Sequence, residues 1–195
     1  ADVAERDSAL AAVLLAPTGA VHFLLRLLRA SDAPVPDSLP PAPIVRHAIA
    51  ALADCASCPD QGIKAAIASD GALPRLHGWL LKTLATNRGS HADGSAIDAA
   101  SDAAVWVQFH RLLGNACFGS GAGSAAATVK AHWLEWATRS SSQPAQHLAE
   151  ALGALADADA GPALTGVRWA AHAVANVTYG DAPNAAQRWL LQSPV

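Results

Sequence analysis

Glycines cluster in the stretch LLGNACFGSGAGSAAATV, residues 112–129, and their spacing raises the question of phosphate binding. Gly114 and Gly119 have the separation of the two glycines in a Walker A loop. Ser120 stands where that motif needs its lysine, and the glycines follow a helical pattern instead of a strand. Phosphate binding depends on the lysine charge and on a strand–loop–helix frame. The sequence therefore favours a turn between helices, and a nucleotide-binding protein that uses residues 114–123 is the alternative.

Cysteine and histidine are the other residue types that could support cofactor or metal chemistry. Cys55 and Cys58 form a C-x-x-C pair, but a zinc site needs four ligands and the sequence has no second pair. The eight histidines include no pair at the spacing of a helical zinc site. We predict packed thiols, no cofactor and no metal, and a cofactor protein built on the cysteine pair is the alternative. Three cysteines, of which Cys117 is the third, fit a reducing intracellular compartment.

The composition predicts an all-α fold. Apolar residues make up 52% of the 195 residues, and alanine and leucine, which favour helices, dominate over β-branched and aromatic residues. The net charge of −3 and the lack of a basic run argue against nucleic acid as a partner. The most apolar segment, residues 9–30, contains Pro17, Arg26 and Arg29, so no run is suited to span a bilayer. A single domain over residues 1–195 is expected.

Helical periodicity and breaker residues divide the chain into helices joined by turns. The predicted helices cover residues 5–16, 19–30, 44–57, 60–69, 72–85, 99–119, 125–139, 146–158, 163–179 and 182–192. The proline-rich segment 31–43 and the polar segment 86–98 are predicted to be loops inserted between helices. Asp102 is the predicted N-cap of the helix over 99–119.

Three of the long helices share a pattern centred on Asp54, Asn115 and Asn176, with 61 residues between successive positions. We call these three residues the anchor row. Each anchor follows an apolar and then a tiny residue, and each helix then ends in a turn. A tiny residue permits a neighbouring helix to approach closely. The glycines of 114–123 thus occupy the helix end and turn of the second copy.

These copies resemble a known family. RHAIAALADCASCPDQGIKAAIASDGALPRLHGWL, residues 46–80, resembles an armadillo repeat, and LLGNACFG and AVANVTYG resemble the end of that repeat's third helix. The resemblance implies a short right-handed superhelical solenoid with irregular repeats, which buries a continuous core and leaves an extended concave surface. Armadillo repeats have about 42 residues, so insertions must account for the longer spacing, and a HEAT-like relative is the alternative.

The resemblance also implies a binding groove, because the asparagine near the end of the third armadillo helix bonds the backbone of an extended peptide. Helical spacing places further polar residues on the same faces as the anchors. The predicted partner-binding residues are His47, Asp54, Gln108, Arg111, Asn115, Trp169, His172 and Asn176. Two interpretations stay open. Either these residues line a groove for a partner, or the asparagines bond the backbone of neighbouring helices.

We therefore predict a non-catalytic protein–protein interaction scaffold. Its partner would be an extended peptide segment of another protein, or the neighbouring subunits of a larger assembly. No hydrolase motif of the G-x-S-x-G type occurs. Methionine is absent, including at position 1, so we interpret the chain as a processed mature form or an excerpt of a longer protein. A processed form would allow an organelle as its compartment.

Overall fold

The computed structural model describes residues 19–28, 42–90, 96–119, 123–139 and 162–179. All regular secondary structure within these residues is helical, and no strand occurs in them, which confirms the all-α prediction for the described part of the chain. The helices are α1 (Gly19–Leu27), α2 (Ala42–Ser57), α3 (Gln61–Ala68), a 3₁₀ turn (Ser69–Gly71), α4 (Ala72–Ser90), α5 (Ala96–Cys117), α6 (Ala125–Arg139) and α7 (Pro162–Thr178).

The three helices that carry the anchor row pack side by side in the order α2, α5, α7. We call them the stacked row. A second set of contacts joins α3 to α6, while α1 contacts α2 and α3, and α4 contacts α6. Elements that lie one sequence copy apart are thus neighbours in space. The 61-residue register of the sequence predicts this pairing of α2 with α5 and of α5 with α7.

The core lies between these helices and is made by their apolar sides. Ile49 and Leu52 of α2, together with Phe109 and Leu112 of α5, are at most 1% exposed. Trp133 of α6 is fully buried in the same hydrophobic cluster. Small residues set the helix separation, since an added Cβ at Gly114 would lie 2.7 Å from His172 Cδ2. The stacked row is therefore closely packed along its middle helix.

Capping and turn residues set the ends of the shorter elements. Asp60 is the N-cap of α3, and its Oδ1 accepts a hydrogen bond of 2.7 Å from the Gly62 N–H. Gly71 adopts a φ of +65°, a left-handed conformation that glycine takes at little cost. This glycine ends the 3₁₀ turn before α4, where the sequence predicts a break.

Some predicted boundaries are wrong. The segment 86–98 is not a continuous loop, because α4 continues to Ser90 and α5 begins at Ala96. Polar residues do not by themselves end a helix, and a glycine within one costs only about 1 kcal/mol. Asp102 consequently lies inside α5 and is not its cap. The proline-rich segment 31–43 also ends earlier, since α2 starts at Ala42.

Several predicted elements lie outside the described residues, namely the helices at 5–16, 146–158 and 182–192. No helix in the described part of the chain has the length and apolar character needed to cross a membrane.

Candidate binding surface

The anchor asparagines bond the helices beside them. Asn115 Nδ2 donates to the Ala53 carbonyl oxygen at 2.9 Å, and Asn176 Nδ2 donates to the Gly114 carbonyl oxygen at 2.9 Å. The two bonds are equivalent, because each joins one helix of the stacked row to the helix before it. The sequence left two interpretations open, and these contacts are those of the second, in which the asparagines bond the backbone of neighbouring helices. The use of the same side chains by a partner remains a prediction.

The first anchor, Asp54, has a different contact. Its carboxylate forms an ion pair with the Arg111 guanidinium of α5. The Asp54 side chain is only 2% exposed and the Arg111 side chain is 18% exposed, so the ion pair is largely buried, with the arginine on its solvent side. A carboxylate can only accept, whereas an amide also donates, so the aspartate requires a donor from the next helix. Arg111 also donates through Nη1 to Gln108 Oε1 at 3.4 Å.

Arg111 extends the contacts to α7. Its guanidinium lies 5.8 Å from the centroid of the Trp169 ring, a cation–π distance. Trp169 meets the His172 ring edge to face with 5.4 Å between centroids. His172 Nε2 lies 2.9 Å from Asn176 Nδ2 and accepts from it when the imidazole proton is on Nδ1. A continuous chain of contacts therefore crosses the stacked row.

Seven of the eight predicted residues take part either in this chain of contacts or in the hydrogen bonds that join neighbouring helices of the stacked row. The exception is His47, which is exposed on α2 and lies 3.4 Å from Arg46 Nη2 through its Nε2 atom. We call the solvent-accessible side of α2, α5 and α7 the exposed face. It carries Arg46, His47, Arg111, Arg168, Trp169 and His172.

Two exposed aromatic residues at the helix ends were not predicted. Phe118 is 63% exposed and Tyr179 is 66% exposed, and each lies three residues after an anchor asparagine. The recurrence of an aromatic residue at this position in two copies is the signal that could have found them. Ser57 holds the matching position in the first copy.

Each of these aromatic residues is paired with a lysine. Lys64 Nζ donates to the Phe118 carbonyl oxygen at 2.6 Å and lies 5.7 Å from the centroid of that ring. Lys130 Nζ donates to the Tyr179 carbonyl oxygen at 2.7 Å and lies 5.9 Å from the centroid of the Tyr179 ring. An ammonium group at a helix C-terminus satisfies a carbonyl and complements the helix dipole. Burial lowers the pKa of Lys64 from its ordinary value.

The three cysteines and Gly114 are buried among packed helices. Cys55, Cys58 and Cys117 are at most 3% exposed. Desolvation raises the pKa of Cys55 to about 11 and that of Cys117 to about 12, so both thiols are protonated at neutral pH. Gly114 faces α7, since a side chain at this position would meet His172 and Ala173 of that helix. Among the described residues, no group of three or more histidine, cysteine, aspartate or glutamate side chains could hold a metal ion.

Comparisons of the chain with protein-family models, with curated proteins and with solved structures found no match.

Proposed function

We propose that this chain is a non-catalytic protein-binding scaffold of the armadillo-like solenoid type. Its binding surface would be the exposed face of α2, α5 and α7. The observation that carries the proposal is the alignment of three adjacent helices at one 61-residue spacing. It brings a polar or aromatic side chain to one equivalent position on all three helices, namely His47, Gln108 and Trp169. Arginine, tryptophan and tyrosine are the residue types enriched where proteins bind each other.

The geometry of stacked helices fits an extended partner segment. Packed helices lie about 8–10 Å apart, and an extended chain rises about 3.3 Å per residue. A segment that crosses the stacked row would therefore meet a new helix about every third residue. The contact chain from Asp54 to Asn176 would hold the arginine and tryptophan side chains in place before a partner arrives, which limits the entropy lost on binding.

Site-specific photocrosslinking tests this proposal. A benzoylphenylalanine residue replaces His47 of α2 or Tyr179, which directly follows α7, and it replaces Phe23 of α1 in the control. Phe23 is 64% exposed and Tyr179 66%, so exposure alone cannot separate them. The full chain is irradiated in an extract of its source cells, and the products are identified by mass spectrometry.

We expect the His47 and Tyr179 variants to form the same crosslinked protein product and the Phe23 variant to lack it. A single stoichiometric product would indicate a subunit of a stable assembly, and several minor products would indicate an adaptor. The proposal fails if the Phe23 variant gives the same products or if the His47 and Tyr179 variants give none.

A further inference from the structure

The described side chains of the exposed face carry charge of one sign. Arg46, Arg111 and Arg168 are the cationic side chains described on α2, α5 and α7. Asp54 is the only carboxylate among the described side chains of these three helices, and it is 2% exposed and paired with Arg111. Arg46 and Arg168 are both exposed. The described part of the exposed face is therefore positive, although the whole chain carries a net charge of −3.

The two exposed arginines hold equivalent positions. Each lies eight residues before an anchor, Arg46 before Asp54 and Arg168 before Asn176. They therefore lie at the same level along α2 and α7, with α5 between these helices. Two helix spacings of about 8–10 Å separate them. This separation corresponds to about five or six residues of an extended chain.

We propose that the partner segment is acidic. An extended segment of another protein would cross α2, α5 and α7, with carboxylates about five or six residues apart that pair with Arg46 and Arg168. Guanidinium groups bind carboxylates through two parallel hydrogen bonds, which gives specificity as well as attraction. This inference rests on the proposed function, and it names the chemistry of the partner.

A nucleic acid fits the same face less well. A phosphodiester backbone carries a charge on every nucleotide and needs a continuous set of cations along its path. On the described part of the face, only two arginines, Arg46 and Arg168, are classed as exposed. The ammonium groups of Lys64 and Lys130 donate to helix-end carbonyl oxygens, and Arg111 is paired with Asp54.

Selection from a random library tests the charge of the partner. A phage-displayed library of random 16-residue peptides is selected on the full chain, with the R46E/R168E double variant as the counter-selection. We expect the peptides that bind the wild-type chain to be enriched in aspartate and glutamate and to be lost on the variant. Enrichment of basic or uncharged peptides, or no enrichment, overturns the inference.

Fluorescence anisotropy of the most enriched peptide then measures the contribution of the two arginines. R46E/R168E should weaken binding at least tenfold, and added salt should weaken binding to the wild-type chain. The matched control is R26E, which reverses an exposed arginine on α1, outside the stacked row, and should change affinity less than twofold. Equal loss in R26E, or tighter binding of a 16-nucleotide single-stranded DNA, contradicts the inference.

The outcomes separate the two proposals. Crosslinking at His47 and Tyr179 without acidic enrichment would retain the protein-binding face and reject the acidic partner. Absence of both would reject both.

Discussion

At Gly114 the backbone of α5 leaves no space for a side chain, because an added Cβ would lie 2.7 Å from His172 Cδ2. His172 contacts both Trp169 and Asn176, so its displacement would disturb the contact chain on α7. The glycine is thus required by a neighbouring helix. This role differs from the phosphate-binding role that its spacing from Gly119 suggests.

The first prediction concerns this contact. Gly114→Ala should lower the free energy of unfolding by about 1–3 kcal/mol, because the strain of overpacking exceeds the gain in helix propensity. Urea unfolding followed by circular dichroism measures the change. The control is Gly19→Ala in α1, where an added Cβ has no atom within 4 Å. A stability loss in the control equal to that in Gly114→Ala would show that steric contact is not the cause.

The second prediction concerns the ion pair of Asp54 and Arg111. Arg111→Gln leaves a carboxylate that is 2% exposed without its cation, which should cost about 3–5 kcal/mol. Asp54→Asn leaves the Arg111 guanidinium without its carboxylate, but this side chain is closer to solvent. The substitution also supplies the amide found at the other two anchors, so the loss of unfolding free energy should be smaller. Urea unfolding of both single variants and of the double variant measures the free energy of unfolding that each one loses. A larger loss for Asp54→Asn would contradict this account.

At the scale of the elements, helix positions could largely be predicted from the sequence. Apolar periodicity locates α2, α3, α6 and α7 to within about two residues of their observed ends. The ends near 86–98 could not be predicted, because polar composition indicates exposure but does not by itself stop a helix. Helix ends could be predicted where a residue has a specific role there, as Gly71 does with its φ of +65° and Asp60 does as an N-cap.

The candidate site could be predicted in part. The 61-residue register places the asparagines on adjacent helices. The sequence allows two roles for them, and a bond to the backbone of the neighbouring helix is one of these. The pairing of Asp54 with Arg111 and of Lys64 with Phe118 could not be predicted. These contacts run diagonally between copies, over 57 and 54 residues of sequence, and depend on the offset between helices.

The third prediction concerns the C-terminal end of α5, where Cys117 is buried. Its pKa is raised by desolvation from 9.0 to about 12, so the folded state holds the thiol proton that the unfolded state loses first. Stability is therefore fully present below the unfolded pKa and is lost as pH rises toward the folded value. The loss is about 1.4 kcal/mol per pH unit.

Urea unfolding from about pH 8 to about pH 11 measures this dependence for the wild-type chain and for Cys117→Ala. The variant should have a shallower decline, whatever its stability at neutral pH. The pKa of Cys55 is raised to about 11, so this thiol contributes a second decline of the same sign. The Cys55→Ala/Cys117→Ala double variant should therefore lose stability even more gradually as pH rises. Lys64 acts in the opposite direction, because its pKa is lowered and the folded state releases its proton first. Equal slopes in all three proteins would contradict the assignment.

At the scale of the whole molecule, the described helices contact mainly those of the adjacent copy. In the stacked row, α5 lies between α2 and α7. Stability in a stack of this kind is approximately a sum of unit terms and nearest-neighbour interface terms. The Asn115 and Asn176 bonds belong to two different interfaces of this row, although their donor–acceptor distances are both 2.9 Å.

The fourth prediction follows from this arrangement. Asn176→Ala removes a bond between α7 and α5, so faster hydrogen exchange should be confined to Pro162–Thr178 and the C-terminal half of α5. Asn115→Ala removes a bond between α5 and α2, so it should also expose the amides of α2. Hydrogen exchange with mass spectrometry compares the two variants, whose lost bonds between helices are matched in chemistry and length. Asn176→Ala also removes the contact with His172, which lies within α7 and joins no two helices. Uniform acceleration over all helices in both variants would mean a single cooperative unit, and the nearest-neighbour account on which the solenoid proposal depends would then fail.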